Sequence, residues 1–147
     1  MRADRRRGSD SRCCHPEGAP YDWQHEEQDA HPSVTALDNW LSTLAPFSRS
    51  HEEGEIDDLF EAASAGSLWD SGDAATPIKP VFEDPEVYEL RRTALNKKLR
   101  FYHAEPGRAP SKLVALHRHI KIDGATQQTE IEDAADLYDG IREREGW

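Results

Sequence analysis

Hydrophobic positions in this chain follow two periods in succession, helical first and strand-like second. Val34, Leu37, Trp40, Leu41 and Leu44 recur on one helical face, and Pro32 and Ser33 suit a helix start. Pro46 stops that helix, because an interior proline loses a backbone donor and clashes with the preceding turn. A second helix is expected from about His51, where Ser50 and Glu53 have the spacing of a capping box. Ile56, Leu59, Phe60 and Ala63 form its apolar stripe, and Gly66 marks its exit. Glu52, Glu53, Asp57, Asp58 and Glu61 read as its solvated face. Residues 67–86, with Gly72, Pro77, Pro80 and Pro85, read as a connector that is long for a compact domain.

The period then changes to two. Residues 87–93 predict a strand with Tyr88 and Leu90 on one face and Glu89 and Arg91 on the other. After a turn at 94–97 a second strand is expected over 98–104, with Leu99 and Phe101 inward and Arg100 and Tyr102 outward. The loop 105–111 leads to a third strand over 112–121, apolar enough at its start to be central. The short connections imply an antiparallel meander. A last helix is expected from about Thr129, with Glu132 closing a capping box and Ile131, Ala134, Ala135, Tyr138 and Ile141 on one face. Residues 21–30 are weakly patterned, with a short strand at Tyr21 and Trp23 the best reading. The fold class predicted is α+β: two N-terminal helices, a three- to four-stranded antiparallel sheet and a C-terminal helix. One sheet face takes the helices and the other stays open.

Composition adjusts this picture at the N-terminus. Residues 1–20 are polar, arginine-rich and aperiodic, so a disordered basic tail is expected there, followed by one domain over 21–147. Cys13 and Cys14 are adjacent, a spacing that closes a disulfide only with strain. That usage fits a reducing cytoplasm. The basic N-terminus is not followed by an apolar run, so no signal peptide is expected, and no apolar run is long enough to span a membrane.

Charge changes the picture most. The chain carries a net −11, yet residues 89–121 hold nine lysines and arginines against Glu89 and Glu105, with His103, His117 and His119 among them. A basic, histidine-bearing island in an acidic protein points to a focused polyanion site rather than indiscriminate nucleic-acid binding. Arg91, Arg100 and Tyr102 would share the uncovered face, with Lys121 and one of His117 or His119 arriving from the end of the third strand. Cleavage of RNA by its own 2′-hydroxyl needs a base, an acid and cations around the phosphate, and His, Tyr, Lys and Arg supply these without metal or cofactor. The same strands could instead bind an acidic partner or the chain's own acidic helices. On a covered face, His117 and His119 would be core histidines.

Several short motifs occur in a suggestive order: Trp40-Leu41, Glu89-Leu90-Arg91, Arg100-Phe101-Tyr102, His119-Ile120-Lys121 and Glu130-Ile131 with Ala134. Over about residues 31–142 the chain resembles the RelE/ParE toxin superfamily, in particular its phage-derived HigB-like branch. The resemblance implies a compact sheet with helices packed on one side. It implies a type II toxin that cleaves mRNA on the ribosome, inhibits translation and is silenced by a cognate antitoxin, often a helix-turn-helix protein. It maps the family's active-site positions to Arg91, Arg100 and Lys121. Tyr102 and His119 complete the candidate catalytic set, and Lys97, Lys98 and Arg118 are the candidate RNA contacts. Two other readings stand beside it: a non-catalytic relative that acts by binding a helix-turn-helix partner, and a gyrase-directed poison.

Overall fold

A computed structural model describes residues 10–147. The chain runs β1 (Asp22–His25), α1 (Pro32–Thr43), α2 (Pro46–Ser64), β2 (Ile78–Glu83), β3 (Glu86–Ala94), β4 (Lys97–Ala104), β5 (Lys112–Lys121) and α3 (Gly124–Glu145), with two 3-10 turns at Arg12–Cys14 and Pro16–Gly18. The α+β class is as expected, but the sheet has five strands in the order β1-β5-β4-β3-β2 and is mixed. The two extra strands are its edges. β1 runs parallel to β5, pairing Trp23 with Leu113. β2 comes out of the expected connector and pairs antiparallel with β3. Pro80 hid β2 from a pattern reading; at an edge, a residue without an N–H leaves no interior ladder bond unmade.

Helix ends moved for local reasons. Pro46 does not stop α1 so much as start α2: it occupies the first turn, where the missing N–H costs nothing. α3 begins at Gly124 because Asp123 caps it, its side chain accepting from Thr126 N at 2.7 Å. Gly66 ends α2 as expected, with φ +68°, and any side chain there would collide with the His15 carbonyl.

That collision identifies a larger difference. Residues 10–20, expected in a tail, pack onto the domain, whereas residues 1–9 lie outside the described residues. Ser11, Cys13 and Cys14 are fully buried, and the Arg12 guanidinium donates to the carbonyls of Pro106, Ala109 and Lys112.

Both faces of the sheet are covered, which corrects the expectation of one open face. On the first, Leu90, Leu99, Phe101 and Leu113 meet Leu37 and Leu41 of α1, Phe60 and Ala63 of α2, and Cys13 and Cys14. Glu52 of α2 is buried rather than solvated, held by Arg92 at 2.6 Å, so an acid counted as surface fastens α2 to β3. On the second face, Val87, Tyr102, Val114 and Leu116 meet Ile131, Ala134, Tyr138 and Ile141 of α3. Among the described residues no helix is long and apolar enough to cross a membrane.

Candidate functional site

The strand register lays the basic island out in rows on the face that α3 covers. Arg91 of β3 pairs with Arg100 of β4, which pairs with His119 of β5. The next row is Glu89, Tyr102 and His117, and the row on the other side is Thr93, Lys98 and Lys121. The expected convergence of Arg91 with Arg100 on one face is therefore present. The exposure is not: Arg100, Tyr102 and His119 are buried beneath α3, while Arg91 and Lys121 remain half-buried at its rim.

Glu89, not singled out from sequence as a site residue, is the centre of this arrangement. Its Oε1 lies 3.0 Å from Arg91 Nε and 3.4 Å from Arg100 Nε, though neither N–H is aligned for a hydrogen bond. Its Oε2 accepts from Gln127 of α3 at 2.8 Å. The side chain is 1% exposed. Burial raises the Glu89 pKa, and the opposing pull of Arg100, Arg91, Lys79 and Lys121 does not cancel that rise. Burial likewise lowers the pKa of Arg100 despite Glu89 beside it. Burial thus works against the charged form of both partners.

The rest of the network steadies Glu89. Tyr102 Oη and His119 Nε2 lie 2.8 Å apart, and Gln127 also reaches Tyr102 Oη at 3.4 Å. Burial pushes the Tyr102 hydroxyl well up and brings the His119 pKa down to about 4. His119 is therefore a neutral ring at pH 7, hydrogen-bonded to the tyrosine. His117 Nε2 lies 2.5 Å from Glu130 of α3, whose other oxygen accepts from Ser33 at 2.8 Å.

A cleft of about 260 Å³ opens beside these rows, lined by Lys79, Glu89, Arg91, Lys121 and Gln127 with Pro80, Val81 and Ile131. An adjoining cleft of about 550 Å³ shares Lys79 and Arg91 and adds Asp70, Asp73 and Thr76. A cleft of about 700 Å³ at the far end of the β2–β3 hairpin is larger, but Asp10, Glu83, Asp84 and Glu86 line it and would repel a phosphate. Burial, then Arg100 and Lys98, lowers the pKa of Lys121. Lys79 came from the unread edge strand and had no sequence signal beyond its charge.

The remaining candidates divide. Lys98 is exposed in the same row as Lys121, and Lys97 sits at the β3–β4 turn. Arg118 is on the opposite face and is engaged by Asp38 at 2.9 Å, Glu27 at 3.3 Å and Asp29 at 3.8 Å. Among the described residues, two groups of side chains have the donor types and proximity to hold a metal ion: Cys13 with His103 and Glu105, and His31 with His117 and Glu130. In comparisons with known proteins, no family model matches the chain, and no curated protein and no solved structure matches it.

Proposed function

We propose that this protein is a toxin-class endoribonuclease of the RelE/ParE kind, acting on mRNA in the translating ribosome, with its phosphodiester held in the cleft between Arg91, Lys79 and Lys121. One observation carries the reading: two guanidinium groups from neighbouring strands close on a single buried carboxylate whose pKa is raised. Arg91 and Lys79 reach the cleft and supply fixed positive charge to the crowded phosphate of the transition state. Arg100 lies beneath and holds Glu89 in place. Glu89 takes the proton of the 2′-hydroxyl as that oxygen attacks phosphorus. The bond from phosphorus to the 5′-oxygen breaks, and Lys121, its pKa lowered, returns a proton to that oxygen. The products are a 2′,3′-cyclic phosphate and a 5′-hydroxyl. Tyr102, His119 and Gln127 position Glu89 rather than touch the substrate. Since Glu89 is closed over by Gln127, substrate entry requires the first turn of α3 to yield.

The test is expression without a partner, followed by mapping of mRNA ends. Growth arrest and cuts within translated codons are expected, and both disappear in Arg91→Ala. Equal growth of wild type and variant, with intact mRNA, overturns the reading.

A second reading has its own support. Burial of Arg100, Tyr102 and His119 beneath the acidic α3 fits a non-catalytic module that acts by binding a helix-turn-helix partner, which the first reading would name its antitoxin. A stable complex with such a partner and no RNA cleavage by the free chain decides for it.

A further inference from the structure

On the face covered by α1 and α2, three side chains with metal-ligand atoms meet in the core. Cys13 Sγ lies 3.5 Å from His103 Nε2 and 3.7 Å from Glu105 Oε2, and Nε2 and Oε2 are 2.8 Å apart. Cys13 is 0% and His103 1% exposed. As the chain stands, Glu105 Oε2 is crowded: the Ser11 hydroxyl at 2.5 Å, the His103 ring and the Cys13 thiol all converge on that one oxygen. We propose that this is a structural site for a transition-metal ion of the zinc class. Its ligands are Cys13 Sγ, His103 Nε2 and Glu105 Oε2, and the ion fastens the N-terminal segment to the end of β4.

The distances suit an ion. Zinc bonds of about 2.3 Å to sulfur and about 2.0 Å to nitrogen and oxygen place tetrahedral ligands about 3.3–3.5 Å apart. The two sulfur separations are already close to that range. The His103–Glu105 hydrogen bond has to widen by about half an ångström, and the ion replaces it. A thiolate with an imidazole and a carboxylate selects zinc or cobalt over magnesium and calcium, which take oxygen ligands. The shell behind the ligands is partly in place: Glu105 is oriented, whereas His103 Nδ1 is buried with no hydrogen-bond partner. Arg12 N donates to Glu105 Oε1 at 2.8 Å and turns Oε2 inward, while Tyr88 stacks on His103 at 5.6 Å and Trp23 meets it edge-on at 5.5 Å. Ser11 Oγ accepts from Cys13 N at 3.0 Å and donates to Glu105 Oε2.

The charge and proton balance closes. The Cys13 thiol gives up its proton to solvent, and the thiolate and the Glu105 carboxylate then neutralise the divalent cation. The other cluster is the poorer host. His31 Nδ1 accepts from Ser33 N at 3.1 Å, so in the neutral ring Nε2 carries the proton and points it at Asp133, 3.2 Å away. Metal binding there would break the helix cap of α1.

The full chain, stripped with chelator and dialysed, is titrated with cobalt(II). One equivalent is expected to bind, with tetrahedral d–d bands and a thiolate-to-cobalt charge-transfer band, and zinc displaces it. Cys13→Ser removes the charge-transfer band and weakens binding more than about tenfold, whereas His31→Ala leaves both unchanged. If Cys13→Ser does not fold, X-ray absorption of the zinc-loaded wild type decides: one sulfur at about 2.3 Å with nitrogen and oxygen ligands supports the site. No cobalt or zinc uptake, a spectrum without sulfur, or a charge-transfer band that persists in Cys13→Ser overturns it.

Discussion

The two faces of one sheet are built from the same strands and differ in what they bury. Even positions of β3 and odd positions of β4 put Leu90, Leu99 and Phe101 against α1 and α2, where apolar area leaves water and the fold gains its stability. Odd positions of β3 and even positions of β4 put Glu89, Arg100 and Tyr102 on the face that α3 covers, with Arg91 at its rim. There, burial is electrostatically expensive: it raises the pKa of Glu89 and lowers those of Arg100 and His119. Both faces bury an apolar cluster, and the second adds this buried charged row, where chemistry is proposed.

Five experiments break or sharpen that contrast. The largest effect is expected for Arg91→Ala, which should lower the rate of mRNA cleavage about 10²–10³-fold, as loss of a preorganised transition-state cation does, and should also lower the melting temperature, because buried Glu89 loses one of its two guanidinium partners. Unchanged cleavage by pure protein on ribosomes would remove Arg91 from the site. Leu99→Ala on the other face should cost about 2–5 kcal/mol of stability by urea unfolding, with cleavage by the remaining folded protein intact. A cost below that range would mean the apolar face does not carry the fold.

The third experiment concerns pH and stability. The folded His119 pKa is depressed to about 4 from an ordinary 6.5, so the unfolded chain binds a proton that the folded chain refuses between those values. Stability attributable to the neutral ring is present above 6.5 and is lost as pH falls toward 4, on the order of a few kcal/mol in all. Its neighbour His117 is shifted the same way. His119→Asn should flatten this part of the stability profile measured by urea unfolding, and an unaltered slope would count against burial as the cause. Fourth, the acid limb of cleavage should lie above the usual carboxylate range, because Glu89 must be ionised to act as base and its pKa is raised. Glu89→Gln should abolish that limb along with most activity, and a limb that survives would assign the base elsewhere. The smallest effect is expected for Arg118→Ala. Its charge is already matched by Asp38, Glu27 and Asp29, so cleavage should be unchanged and stability should fall by about 1 kcal/mol or less. A large loss of RNA affinity would return Arg118 to the site.

Much of this was legible in the chain. Helical spacing from Val34 to Leu44 and alternation from Tyr88 to Tyr102 are local patterns, and they appear where the periods put them. That Arg91 and Arg100 share a face followed from strand parity and short turns, whereas the pairing of Arg100 with His119 came from the structure. What stayed hidden was whatever depends on distant partners. Lys79 arrives on an edge strand disguised by prolines, and Glu89 had no mark of its own until two arginines and Gln127 closed around it. Residues 10–20 have no periodicity because a clasp needs none: Arg12 grips carbonyls about a hundred residues away.

The linear order of residues determined which side chains share a face, because the periods of helix and strand are properties of the backbone. Only the tertiary structure decided which face is dry. α3 folds back over the basic rows instead of leaving them in water, and burial, unlike periodicity, depends on what the rest of the chain brings to the same place.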